Sequence, residues 1–151
     1  MRILPKLNAD ISLDALNDRC KNTMASHLGI LFTEIDENYL CATMPVDERT
    51  FQPLKMLNGG ASLALAETLG SMAANLVLDR SKYVAFGMEI NANHVKPARH
   101  GFVTGTAKPL HVGKASQVWE IKITDDLNDL VCISRLTLFV TETNADALQL
   151  S

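Results

Sequence analysis

The chain is short of thiols. Its 151 residues include three cysteines, Cys20, Cys41 and Cys132, an odd number with no pair at metal-ligand spacing. That argues against a disulfide framework or a cysteine-held metal, and leaves reduced, structural thiols of a cytoplasmic protein as the expectation. Long apolar runs are missing too. No stretch reaches the roughly 18 residues of a membrane span, and the nearest, 56–78, is broken by Asn58, Glu67 and Asn75. The first residues carry Arg2 and Lys6 without an apolar core, so no signal peptide is expected. Positive charge is in the minority, 14 Lys and Arg against 17 Asp and Glu, with a net charge of -3. That balance argues against a nucleic-acid partner. Internal repeats and low-complexity tracts are absent.

What is present is a globular composition, 47% hydrophobic and 21% charged, sufficient for one domain with a sizeable core. Ser12 is placed to cap a short amphipathic helix running to about Met24, with Ile11 as a staple residue and Gly29 ending the region. Ile30–Ile35 and Tyr39–Met44 read as strands around the turn Asp36-Glu37-Asn38, and Pro45 and Pro53 bracket a loop. From Gly60 to about Leu78 runs an Ala-, Leu- and Met-rich segment of strong helix formers, apolar on every face, the pattern of a buried helix. Four strands follow, Tyr83–Val95, Phe102–Val112, Gln117–Asp125 and Leu130–Thr141, and Asn144–Ser151 is expected to be a frayed tail. One buried helix with an antiparallel sheet is an α+β arrangement. A sheet of this size covers one side of the helix, so the remaining apolar face calls for a partner copy, at least a homodimer.

Glu67 is the only charged residue between Lys55 and Asp79, and it sits in the middle of that helix. A buried lone carboxylate is costly and acquires a partner, a shifted pKa or a function; a rim position or a structural lysine pair is the competing reading. Asn58, Gly59 and Gly60 open the helix. Glycines there admit close approach of a ligand, and the free N–H groups at the positive end of the helix suit a developing oxyanion; a plain turn would use the same residues. Gly60 and Glu67 share a face, two turns and roughly 10 Å apart. One carbonyl cannot touch both within one chain, but two such helices packed antiparallel about a two-fold axis bring Glu67 of one to Gly60 of the other. Ser71, one turn beyond Glu67, is placed to hold a water or simply to pack, and Gln52 is placed to donate to a carbonyl or merely to be solvated. The Gly60–Ala64 segment is not a nucleophile elbow, because a proline-containing loop rather than a strand precedes it.

No acidic residue stands between Glu89 and Glu120, whereas Lys96, Arg99, Lys108 and Lys114, with His94, His100 and His111, fall inside that stretch. A local basic face on an acidic chain suits a phosphate-bearing ligand such as coenzyme A; a solvated surface or an oligomer contact is the alternative.

Several segments carry a resemblance: 44–53 (MPVDERTFQP), 57–62 (LNGGAS), 66–71 (AETLGS), 89–95 (EINANHV), 108–113 (KPLHVG), 117–119 (QVW) and 132–137 (CISRLT). Together they resemble the hotdog-fold acyl-CoA thioesterases of the phenylacetate-pathway type over about 13–140, which implies a single hotdog domain across 1–151. The resemblance further implies hydrolysis of an acyl-CoA with an aryl or medium-chain acyl group, no metal, no cofactor beyond the coenzyme A of the substrate, and dimers that pair into a homotetramer. It implies that Glu67 is nucleophile or general base, Gly60 the backbone oxyanion donor, Gln52 the side chain that orients the thioester, and Ser71 the residue that positions water or acyl group. Met72 and His94 take acyl-pocket positions. Gly59 and Thr68 lie within the matching motifs and stand with them as substrate-binding positions, and Lys96, Arg99 and Lys114 are the candidates for the phosphates. Asn58 departs from the histidine usual there, Leu54 from an aromatic and Lys55 from a glycine, all in the loop entering the site. Asparagine keeps a hydrogen-bond donor and loses the charge. Two rivals stand beside this reading. One is an acyl-thioester dehydratase or hydratase, for which no His–acid pair is evident. The other is an acyl-CoA-binding module that has lost catalysis through Asn58.

Overall fold

The computed structural model describes residues 5–143; the C-terminal tail expected to fray lies outside them. The order is α1 (Leu13–Arg19), α2 (Met24–His27), β1 (Leu31–Asp36), β2 (Tyr39–Pro45), α3 (Gly59–Leu76), β3 (Tyr83–His94), β4 (Phe102–Val112), β5 (Ser116–Asp125) and β6 (Leu130–Glu142). Ser12 caps α1 through its hydroxyl as expected, but the helix does not run to Met24. Asn22 takes a left-handed backbone with φ 60, which ends the first helix, and Thr23 caps a second. Asn17 ties α1 to β1, its Oδ1 accepting from Phe32 N–H at 2.8 Å and its Nδ2 donating to Phe32 O at 3.0 Å.

The six strands form one antiparallel sheet in the order β1-β2-β4-β5-β6-β3, and α3 packs against β2, β3, β4, β5 and β6. This is the α+β hotdog arrangement. The core is where Leu65, Leu69 and Ala73 of α3 meet Val103, Trp119, Ile121, Leu136 and Leu138 of the sheet, none of them accessible to solvent. One polar pair is threaded through it: Trp119 Nε1 donates to Gln117 Oε1 at 2.8 Å, and Gln117 Nε2 donates to Ala74 O at 3.1 Å, so the buried amide and indole are both satisfied. Cys20, Cys41 and Cys132 are buried and unpaired, and burial pushes all three thiols up from their ordinary pKa. Among the described residues no helix is long and apolar enough to cross a membrane.

Two features of this frame shape the site. Strand β3 is an edge strand of 12 residues whose register with β6 shifts between Gly87 and Glu89. And α3 is not buried on every face. Leu63, Ala64, Glu67, Thr68, Ser71, Met72 and Asn75 form a half-open stripe at helical spacing, while Leu65, Ala66, Leu69, Gly70 and Ala73 are buried. The uniform hydrophobicity of the segment concealed which face a single sheet leaves uncovered.

Candidate active site

The loop before α3 is built to present the helix start. Phe51 bridges Leu57, Gln52 N–H donates to Met56 O and Asn58 N–H to Thr50 O, both at 2.8 Å. Thr50, almost fully buried, anchors the loop by donating its hydroxyl to Pro45 O at 2.7 Å. Leu57 N–H reaches across to Ala98 O at 2.8 Å, which fixes the β3–β4 loop beside the helix start. Between them lies a cavity of about 360 Å³, lined by Gln52, Met56, Gly59, Ser62, His94 and Lys96 among others. A Cβ on Gly59 would stand 2.9 Å from His94 Nε2, so a side chain here would push the imidazole aside and crowd the cavity.

The donors at this helix start are not distributed as expected. Asn58 is the N-cap, and its Oδ1 accepts from Gly60 N–H at 2.7 Å. The Gly60 N–H expected for an oxyanion is therefore engaged, and Asn58 acts as an acceptor rather than as a donor to ligand. Ala61 and Ser62 N–H both donate to Asn58 O. Among the described residues no acceptor meets the Gly59 N–H, so the free donor is one residue earlier. Gln52 Oε1 accepts from Leu54 N–H, which leaves its amide NH2 as the group it offers to the cavity. Lys55, at φ 58, occupies the left-handed conformation that glycine adopts without strain, and its ammonium lies 5.8 Å from the Phe51 ring.

Glu67 lies two turns further along, outside that cavity. Ser71 Oγ donates to Glu67 Oε1 at 3.1 Å. Among the described residues no lysine or arginine of the chain pairs with this carboxylate. Its seat is Gly87 of β3, where a Cβ would overlap Glu67 Oε1. Gly87 was not singled out in the sequence, although an isolated glycine inside a strand pattern marks a bulge or a close approach. Thr68 and Met72 flank Glu67 and Ser71 on the half-open stripe.

The charge pattern is also redistributed. Lys96 Nζ donates to Asp125 Oδ2 at 2.7 Å and also to Asp129. Its hydrogen bonds to Asp125 and then Asp129 push its pKa up, and its own hydrogen bond pulls that of Asp125 down. The acid-free stretch between Glu89 and Glu120 is thus answered from the β5–β6 turn, and Lys96 is not a free cation. A second groove of about 220 Å³ shares Lys96, Pro97 and Ala98 with the first and continues to Arg99, His100 and Leu127. Arg99 is exposed and, among the described residues, takes no ion pair. Lys114 is not brought to this groove: it sits in the β4–β5 turn, at the end of the sheet where Ser116 pairs Phe139 and Phe139 pairs Phe86, whereas His94 pairs Cys132 at the other end. Lys108 lies over the Tyr39 ring at 5.7 Å on β4.

A single helix packed on a six-stranded antiparallel sheet is the hotdog architecture. Residues 54–132 match the family model described as the thioesterase superfamily, and the chain belongs to that family. A Vibrio cholerae protein is 56% identical over 133 residues, covering 88% of each chain. The 1,4-dihydroxy-2-naphthoyl-CoA hydrolase of Escherichia coli is 50% identical over 127 residues, covering 84% of this chain and 93% of that one. Among solved structures, a thioesterase from Haemophilus influenzae superimposes with a TM-score of 0.87 at 46% identity, covering 93% of this chain and 96% of that one.

Proposed function

We propose that the protein hydrolyses acyl-CoA thioesters with an aryl or medium-chain acyl group, and that the carboxylate of Glu67 serves a thioester seated at the helix start of a partner copy. The observation that carries this reading is the division of the chemistry within one chain. Gly59, whose N–H is free, and Gln52 line the cavity, while the carboxylate of Glu67 sits two turns away over Gly87. The names of the relatives supply the reaction class, and an aryl-CoA hydrolase among them supports the acyl class.

In this reading the thioester carbonyl accepts from Gly59 N–H and the Gln52 amide, which stabilise the negative charge that develops on its oxygen. Glu67, held by Ser71, takes a proton from water as the water oxygen bonds to the carbonyl carbon. Collapse of the tetrahedral centre breaks the C–S bond, and the proton returns to the departing thiolate. Direct attack by Glu67 would instead form a mixed anhydride that water then opens. Oxygen-18 from solvent tests the anhydride in single turnover: label found in Glu67 requires an anhydride opened at the Glu67 carbonyl, whereas the general base leaves Glu67 unlabelled and puts the label in the product acid. The functional unit is a homodimer joined along the free edge of β3. The exposed Phe86–Phe139 pair, with ring centroids 5.6 Å apart, offers an apolar surface on which dimers pair into a homotetramer.

The test is thiol release by wild type and Glu67→Ala over aryl-, phenylacetyl- and aliphatic acyl-CoA esters. The expected loss in the variant is about a hundredfold or more. Undiminished turnover by Glu67→Ala overturns the assignment of the carboxylate, and no release from any ester by folded wild type overturns the hydrolase reading.

A further inference from the structure

Asn75 enters the sequence reading only as a break in an apolar run, yet it makes three hydrogen bonds across the stripe. Its Nδ2 donates to Ser71 O at 2.9 Å and to Ala85 O at 3.0 Å, and its Oδ1 accepts from Ala85 N–H at 3.0 Å. A side-chain amide that pairs with both backbone groups of one strand residue takes the place of the next strand in a sheet. Ala85 faces Val140 of β6 across the ladder, but its N–H and C=O are turned away to the free edge, and Asn75 occupies that edge there.

We propose that Asn75 is a positioning residue: it closes the edge of β3 at Ala85 and confines pairing with a second copy of the chain to Gly87–His94. Glu67 of one protomer is thereby set against the helix start of the other. The inference rests on the dimeric reading above and adds its register. Met88 is the extra residue where the ladder with β6 shifts between Gly87 and Glu89. With Met88 set aside, Asn91 is the middle of the segment from Gly87 to His94. Two such segments running antiparallel about a two-fold axis at Asn91 place Gly87, the seat of Glu67, opposite His94 of the partner subunit. Within each chain His94 and Gly59 line one cavity, and a Cβ on Gly59 would meet the imidazole, so the carboxylate of one copy is brought to the free donor of the other. Asn91 is suited to the axis. Its C=O accepts from Ser134 Oγ of β6 at 2.8 Å, so its backbone is turned inward and it is a non-hydrogen-bonded position at the free edge. Facing Cα atoms at such a position stand about 4.5 Å apart, a separation a disulfide spans. Without the stop at Ala85, the edge offers a longer ladder and further registers.

The experiment combines Asn91→Cys, alone and with Asn75→Ala, under mild oxidation, with thiol release and light-scattering mass for the Asn75 variants. Asn91→Cys alone is expected to form a reducible intersubunit disulfide, and adding Asn75→Ala to remove most of it while the mass stays that of the oligomer. Asn75→Ala is expected to lower kcat about tenfold with KM within about twofold, the signature of a misplaced group rather than of lost binding. Asn75→Asp keeps the acceptor for Ala85 N–H and loses both donors. It is expected to fall between the two, and it carries the test if the alanine variant does not fold. Equal cross-linking with and without Asn75, unchanged kcat in the Asn75 variants, or absence of the Asn91 disulfide in an active dimer each overturns the proposal. Full activity in Glu67→Ala instead overturns the underlying catalytic reading and leaves the cross-linking result to stand alone.

Discussion

Gly87 shows how much one hydrogen atom in place of a side chain decides. The Glu67 carboxylate occupies the volume where any other residue would carry its Cβ, so Gly87→Ala forces Glu67 to another rotamer and breaks the 3.1 Å contact with Ser71. Gly87 is exposed on an edge strand, and alanine adds little cost to the strand itself. The expected outcome is therefore a loss of about tenfold or more in kcat with the thermal midpoint close to that of wild type. Unchanged kcat would show that the carboxylate does not need this seat. Glu67 was legible in the sequence because it is a lone charge in an apolar run, and Gly59 and Gly60 because they are adjacent. Which of the two N–H groups stays free was not legible, since that depends on where the Asn58 side chain turns. Once Asn58 acts as the N-cap, Gly60 is spoken for.

At the scale of elements, the strands and the long helix were readable because alternation and helix-forming composition are local signals. The break at Asn22 and the open stripe of α3 were not, because a single left-handed residue and the reach of a sheet leave little local trace. The clamp between the β3–β4 loop and the β5–β6 turn was hidden for a similar reason: Lys96 meets Asp125 and Asp129 only through the fold. That clamp has a pH signature. Lys96 lowers the pKa of Asp125 in the folded chain, so its contribution to stability is present above the ordinary value of 3.8 and is lost as pH falls through the depressed one. Lys96 is shifted up from 10.5, so the same contribution is lost again as pH rises through its folded value. Asp125→Asn retains the Oδ1 that accepts from Leu127 and Asp129 N–H, both at 3.0 Å, and removes only the charge. The thermal midpoint of this variant should lie slightly below wild type near neutral pH and converge with it in acid. Because the pair is only partly buried, added salt should shrink the gap as well. A gap that persists unchanged into acid would mean that the turn is held by its backbone geometry and not by the ion pair.

The whole molecule carries the claim that no single chain holds a complete site, and complementation decides it. Glu67→Ala removes the carboxylate but leaves the cavity intact. Gly59→Ala drives a Cβ to within 2.9 Å of His94 Nε2 and crowds the cavity, while Glu67 stays in place. Each variant alone is expected to be nearly inactive. If the site spans two copies, a mixed dimer has one site built from the intact Glu67 of one chain and the intact Gly59 of the other, and a second site lacking both. Mixing equal amounts through an unfold–refold cycle makes half of the dimers mixed, each with one of two sites working. Activity should therefore return to about a quarter of wild type, as follows from a two-fold interface that contributes to two equivalent sites. A site assembled within one chain predicts no recovery, because every chain in the mixture carries one of the two lesions. The recovered activity should also decay on dilution to the concentration at which the dimer dissociates. Every monomer in the mixture carries one lesion, and within one chain two turns of α3 hold Glu67 and Gly59 apart, so the dissociated chains are expected to be inactive.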